Sequence, residues 1–125
     1  MAKIPVLLID DDAFLAQIYT QKLEAEGFDV HLASSGEDGL KLVLREPPSC
    51  ILLDILLPGM DGFEVLEKLK AEGETAKIPV IMISNMGQRE DVERAKQLGA
   101  ASYLIKSHTL PGDVLRKVKE VLGLV

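Results

Sequence analysis

The sequence is short of the residues that mark several large classes of protein. It has a single cysteine, Cys50, so no internal disulfide can staple it. That cysteine heads an apolar run and reads as a small buried hydrophobe. No apolar run approaches the roughly 18 residues that a membrane span needs. The opening MAKIPVLLIDDD has one lysine and a short apolar run ending in acids, unlike a secretory signal. The expectation is a soluble, cytoplasmic chain that does not contact the membrane. Positive charge is also in deficit: 14 Lys and Arg stand against 20 Asp and Glu, a net charge of −6. The basic footprint of nucleic-acid binding is missing, so direct DNA or RNA contact by this chain is not expected. No glycine-rich phosphate loop follows the first apolar run, and there is no internal repeat, low-complexity tract or linker.

What is present is 125 residues, 47% of them apolar. That is the size of one domain, able to bury roughly two thirds of its unfolded surface. Residues 1–125 are therefore expected to form one domain, with no output domain attached. Short apolar runs alternate with amphipathic segments. The runs Ile4–Ile9, Val30–Ala33, Cys50–Leu53, Ile78–Ile83 and Ser102–Ile105 suit strands, and three are apolar on both faces. Such runs belong to parallel strands covered by helices on each side. Pro5 and Pro79 lie near the starts of their runs, where a missing N–H costs little. Helical spacing fills 12–26, 36–45, 62–70, 88–98 and 110–122. Gly27 and Gly99 close the first and fourth of these, and Pro47-Pro48 the second. Asp61, with Glu64 three residues on, reads as an N-cap, and Thr109 reads as the N-cap of the last helix. The polar connection at 72–77 is the expected flexible segment. Five β-then-α units make an α/β (βα)5 domain, and right-handed crossovers then give an open parallel sheet between two helical layers.

In such sheets ligands bind beyond the carboxyl ends of the strands. The first run ends in Asp10-Asp11-Asp12, the third at Asp54, the fourth at Ser84-Asn85 and the fifth at Lys106-Ser107. Each feature alone is ordinary. An acidic run after a strand often caps a helix, and a lone Ser or Lys at a strand end is usually structural or solvated. Their convergence on one edge argues for a site. At about 5 Å and an effective dielectric of about 20, each pair among Asp10, Asp11 and Asp54 repels by roughly 3 kcal/mol, so a cation is required. Oxygen-only ligands at a phosphate-accepting pocket suit Mg2+, and Lys106 supplies further positive charge.

The segments VLLIDDD at 6–12, LLDILLPGMDGFEVL at 52–66, IPVIMIS at 78–84 and LGAASYLIK at 98–106 resemble, in order and spacing, the receiver domain of response regulators of two-component signalling. The resemblance covers essentially the whole chain. It implies a flavodoxin-like three-layer sandwich with strand order 2-1-3-4-5. It also implies a phosphorylation switch that accepts a phosphoryl group from a histidine kinase or phosphotransfer protein. Carried over residue by residue, Asp54 resembles the phosphoacceptor. Asp10 and Asp11 resemble the acidic pair that holds Mg2+ together with Asp54 and the backbone carbonyl of Leu56. Ser84 resembles the hydroxyl residue that binds the phosphoryl group, Tyr103 the aromatic switch residue, and Lys106 the phosphate-binding lysine. Asp12 reads as a helix cap rather than a ligand. Catalysis would be limited to the chain's own phosphorylation and dephosphorylation. Output would pass through protein contacts on the fourth helix, fifth strand and fifth helix, from a monomer or a phosphorylation-dependent dimer. Phe14 falls off the inferred core face of the first helix, either as a docking aromatic beside the site or as a peripheral core residue.

Three positions depart from the commonest pattern of that family. Ser107 follows Lys106 where proline, after a cis bond, is usual; a cis bond to a non-proline residue costs about 3 kcal/mol, so a trans bond is expected. Leu56 and Met86 lie two residues beyond Asp54 and Ser84, positions that tune dephosphorylation in the family. Neither side chain orients water by a hydrogen bond, so slow self-dephosphorylation is expected. Asn85 stands where a small residue is usual. Other readings are weaker. An Mg2+-dependent phosphatase with an aspartyl nucleophile usually carries a second Asp where Leu56 stands. A flavin or nucleotide module would lack its phosphate loop. A partner-binding receiver that works without phosphorylation has no evident use for a complete acid pocket and lysine.

Overall fold

A computed structural model describes residues 3–124. Its strands are β1 (Ile4–Ile9), β2 (Phe28–Ala33), β3 (Cys50–Leu53), β4 (Val80–Ser84) and β5 (Ser102–Ile105). They form one parallel sheet in the order β2-β1-β3-β4-β5. The helices are α1 (Ala13–Glu24), α2 (Gly36–Arg45), α3 (Gly62–Ala71), α4 (Arg89–Gln97) and α5 (Pro111–Val121). The α/β (βα)5 sandwich, the flavodoxin-like topology and the strand order all agree with the sequence-based expectation. Among the described residues, no helix is long and apolar enough to cross a membrane.

Alternation along the strands sorts the core into two layers. Leu7, Ile9, Ile51, Leu53, Val80 and Met82 pack with Val43, Phe63, Val65, Leu66, Leu69 and Ala95 from α2, α3 and α4. Val6, Leu8, Cys50, Leu52, Ile81 and Ile83 pack on the other face with Ala16, Tyr19, Leu23, Val114 and Val118 from α1 and α5. Cys50 is fully buried, and burial pushes its thiol up to about 12.

Two strands differ from expectation at their first residues. β2 begins at Phe28, two residues early, because Ile4 and Pro5 pair with Phe28 and Asp29. Asp29 is polar and lies outside the apolar run that begins at Val30; on an edge strand a polar residue is tolerated where one side faces solvent. β4 begins at Val80, two residues late, since Pro79 lacks an N–H for the ladder. Its carbonyl still accepts the Ile51 N–H at 3.0 Å.

The connection at 72–77 is held rather than loose. It contains a short 3-10 turn (Thr75–Lys77), the Thr75 hydroxyl donates to the Leu69 carbonyl at 2.6 Å, and the Lys70 ammonium donates to the carbonyls of Ala76 and Ile78. Asp61 caps α3 as expected, with the Glu64 side chain accepting the Asp61 N–H in return. Thr109 does not cap α5. Leu110 occupies that position, its N–H donating to Asp113 Oδ2 at 2.8 Å, while the Thr109 hydroxyl is turned back toward β5. All peptide bonds among the described residues are trans, Lys106–Ser107 included.

Candidate functional site

Backbone ladders carry the acids to one edge. The Asp10 N–H donates to the Ala33 carbonyl at 3.0 Å, continuing the β1–β2 ladder past Ile9. The Asp54 N–H donates to the Ile9 carbonyl at 2.9 Å, continuing β1–β3. Asp10 and Asp54 therefore stand side by side on adjacent strand ends, both buried. Asp11 follows Asp10 and is exposed. One carboxylate oxygen from each of Asp10, Asp11 and Asp54 lies within 4.8 Å of the others. Asp12 is not in this group. Its carboxylate accepts the Leu15 N–H at 3.1 Å and caps α1, as its position in the acidic run suggested.

Lys106 arrives from the end of β5 and reaches across the end of β4. Its Nζ donates to Asp54 Oδ2 at 3.0 Å and forms an ion pair with Asp10 Oδ2 at 2.9 Å. Its side chain is only 10% exposed. Burial opposes the ammonium charge, but the bonds and attraction from Asp10 and Asp54 outweigh it and raise the Lys106 pKa. Burial likewise pushes Asp54 up, to about 6, against the pull of Lys106 and with the Asp10 charge adding to the rise. Three carboxylates gather around one ammonium, which reaches only Asp10 and Asp54. An oxygen-only cluster with surplus negative charge fits a small hard divalent cation.

The β3–α3 loop is shaped by two glycines. Gly59 adopts φ +72°, a left-handed turn that disfavours a side chain. Gly62 opens α3 directly against the loop; a Cβ there would lie 2.3 Å from the Asp54 carbonyl oxygen and 2.6 Å from Ile55 Cα. Leu56 precedes both in the same loop, two residues after Asp54. Its N–H donates to Asp54 Oδ1 at 3.3 Å, and its side chain is 59% exposed beside the acids.

Ser84 ends β4, fully buried, and its Oγ accepts the Met86 N–H at 3.2 Å. Tyr103 pairs with Met82 across β4–β5 and sits on the same sheet face as Ser84. Its hydroxyl donates to the Met86 carbonyl. Burial pushes the phenol up to about 12, Asp91 adds to the rise, and the Ser84 hydroxyl draws it down. Met86 packs half-buried on the α3–α4 side, and Asn85 is exposed. Every candidate site residue is thus at this edge or in direct contact with a residue there.

Two neighbours of the site carry little signal in the sequence. Tyr19 falls among the apolar positions of the helical spacing at 12–26. It is buried, with no hydrogen-bond partner for its hydroxyl among the described residues, in the electrostatic reach of Lys106 and Asp10. The available signal was its position seven residues, two helical turns, after Asp12 on the same helix. Thr109 reads as the cap of α5 but bonds to the end of β5 instead. Its spacing three residues after Lys106 was the clue to a turn at the end of β5.

Residues 6–118 match the family model described as "Response regulator receiver domain". The chain is 37% identical over 120 residues to the "DNA-binding dual master transcriptional regulator RpaA" of Synechocystis, covering 96% of this chain and 48% of that protein. It is 33% identical to the "Transcriptional regulatory protein SrrA" of Staphylococcus aureus, covering 94% of this chain and 47% of that one. The chain spans about half the length of these curated relatives. Among solved structures, a response regulator receiver domain protein (CheY-like) from Methanospirillum hungatei is similar with a TM-score of 0.89 at 32% identity, covering 97% of this chain and 94% of that one. The Vibrio cholerae chemotaxis protein CheY4 is similar with a TM-score of 0.89 at 25% identity, covering 96% and 99%.

Proposed function

The chain belongs to the response regulator receiver domain family, and from that premise we propose that it is a phosphorylation-dependent switch with Asp54 as its phosphoacceptor. One observation carries the reading above the others. Asp10, Asp11 and Asp54 gather within 4.8 Å, and a lysine from a distant strand is laid on two of them. The phosphoryl donor is a histidine kinase or a phosphotransfer protein. One Asp54 carboxylate oxygen forms a bond to phosphorus as the bond to the donor nitrogen breaks.

Asp10, Asp11 and Asp54, with the Leu56 carbonyl, would hold Mg2+ in this reading. The ion, when bound, offsets the negative charge of the carboxylates and of the incoming phosphoryl oxygens. The chain's own residues do the rest. Lys106 pairs with a phosphoryl oxygen once Asp54 is phosphorylated, and the Ser84 hydroxyl, whose oxygen accepts the Met86 N–H, turns to donate its proton to another. That rotation loosens the Met86 contact and so disturbs the turn to which the Tyr103 hydroxyl is bonded. The site is thereby coupled to the outer face of β5. α4 buries only Ala95, and β5 is partly exposed along its whole length. The α4–β5–α5 face is the proposed output surface. Phe14, 78% exposed on the first turn of α1, is proposed to meet the phosphodonor. The expectation of no nucleic-acid contact is restricted to this chain, since the Synechocystis relative is named a DNA-binding regulator.

The test is incubation with a small acyl-phosphate donor and Mg2+, read by intact mass. The expected result is a gain of one phosphoryl group that is lost in Asp54→Asn. No gain in folded protein at saturating Mg2+ would overturn the reading in favour of a receiver that works unphosphorylated. Continuous release of phosphate from many substrate turnovers would favour a phosphatase.

A further inference from the structure

Lys106 does its work at the end of a long flexible side chain, and both carbonyls flanking its Cα are captured by one residue. β5 ends at Ile105, and Lys106 opens a 3-10 turn (Lys106–His108) that stops at Thr109. The Thr109 N–H donates to the Lys106 carbonyl at 3.2 Å, and the Thr109 hydroxyl donates to the Ile105 carbonyl at 2.7 Å. The two peptide planes that set the direction of the Lys106 side chain are therefore pinned from the same point. Thr109 is itself fixed from α5. The next residue, Leu110, donates its N–H to Asp113 Oδ2, and Asp113 Oδ1 accepts from Arg116 at 3.0 Å. Ser107 and His108, between the pinned ends, are exposed.

We infer that Thr109 is the positioning residue for Lys106, its hydroxyl holding the β5–α5 turn so that the ammonium stays between Asp10 and Asp54. The hydroxyl matters more than the shape of the side chain. The N–H bond to Lys106 is a backbone feature that any non-proline residue would keep, whereas the bond to Ile105 exists only with a side-chain donor. Without it the Ile105 carbonyl loses that anchor, and any tilt of its peptide plane is amplified at the far end of the lysine. A displacement of about 1 Å in a reacting group is enough to cost about a hundredfold in rate.

The experiment compares Thr109→Val, which keeps the β-branch and removes the donor, with Thr109→Ser, which keeps the donor. Thr109→Ala serves if the valine variant does not fold. The first readout uses metal-free protein and is independent of any phosphorylation. Lysine-selective nitrogen–proton NMR detects ammonium groups protected from solvent exchange, and Lys106→Arg assigns the Lys106 signal by its loss. The expected result is a protected Lys106 signal in the native protein and in Thr109→Ser, and its loss in Thr109→Val. A Lys106 signal unchanged in Thr109→Val, or none in the native protein, would overturn the inference. The second readout rests on the proposed function. With acyl-phosphate and Mg2+, Thr109→Val should be phosphorylated at least about tenfold more slowly, and Thr109→Ser at nearly the native rate. A native rate in the folded valine variant would also overturn the inference. If the native protein takes up no phosphoryl group, the functional reading fails and the NMR result alone decides the role of Thr109.

Discussion

Lys106 Nζ lies 3.0 Å from Asp54 Oδ2 although 52 residues separate them in the chain. Two intervening βα units and a strand crossing are needed to close that gap, so the contact exists only in the folded protein. It sets the charge state of the acidic cluster in the chain on its own. The expected consequences concern pH, charge, hydrolysis and packing.

Asp54 is held as an acid that gives up its proton only near pH 6, burial being the main cause. The folded protein binds that proton more tightly than the unfolded chain. The contribution to stability is therefore full below the ordinary carboxylate range and is lost as pH rises through about 6. A displacement of this size corresponds to about 3 kcal/mol. In the presence of a chelator, Asp54→Asn should be more stable than the native protein by about 2 kcal/mol at pH 8. The advantage should shrink toward zero near pH 4. Urea melts across that range measure it, and an advantage that grows on acidification would contradict the assignment.

Lys106→Met removes the ammonium from two buried carboxylates. Stripping one partner from a buried pair costs roughly 3–5 kcal/mol, and proton uptake by Asp54 relieves part of this, leaving a loss of about 2–3 kcal/mol in chelated protein at pH 8. Mg2+ should stabilise this variant more than the native protein, because ammonium and metal answer the same negative cluster. Equal stabilisation of both by Mg2+, in denaturation curves with and without the metal, would refute the shared role.

Leu56, exposed beside Asp54, presents no group able to align an attacking water. The phosphorylated chain should therefore lose its phosphoryl group over times well beyond seconds. Leu56→Asn adds an amide at that place and should accelerate the loss severalfold. The decay of the phosphorylated mass after removal of donor, followed with excess Mg2+, reads both values.

Gly62→Ala should be severely destabilised. The added Cβ would sit 2.3 Å from the Asp54 carbonyl oxygen and 2.6 Å from Ile55 Cα, so backbone on one side must move. Overpacking typically costs about 1–3 kcal/mol and occasionally more; with backbone as the obstacle the cost should be about 3 kcal/mol, and the loop that carries Leu56 would shift with it. Thermal melting gives the cost. A variant within 1 kcal/mol of native, a generous margin for an ordinary surface change, would show that the α3 start is looser than it looks.

The architecture was legible because it rests on local patterns. Apolar runs two-sided in β1, β3 and β4, and helical spacing between them, state a covered parallel sheet without any knowledge of contacts. Even the α3 cap at Asp61 and Glu64 could be read directly, since a capping box is complete within four residues. The misread positions were those where a local signal had two meanings. Asp29 falls outside the apolar run yet pairs on an edge strand. Thr109 reads as a helix cap but bonds back to Ile105. The polar stretch at 72–77 reads as a loose loop but is tied down by Lys70 and Thr75.

The sequence by itself determined which residue types reach the carboxyl edge, because strand ends follow from periodicity and chain order. It also determined that acids at that edge need a cation, because like charges at close range repel whatever the fold. Lys106 was legible as the chain's own cation at that edge, and only the tertiary structure decided how it meets the acids. Lys106 crosses the end of β4 to both Asp10 and Asp54, Tyr103 turns its hydroxyl to Met86, and Thr109 pins the turn from which Lys106 projects. These depend on side-chain direction and on peptide planes brought together from distant segments, and a linear pattern of hydrophobicity carries no information about either.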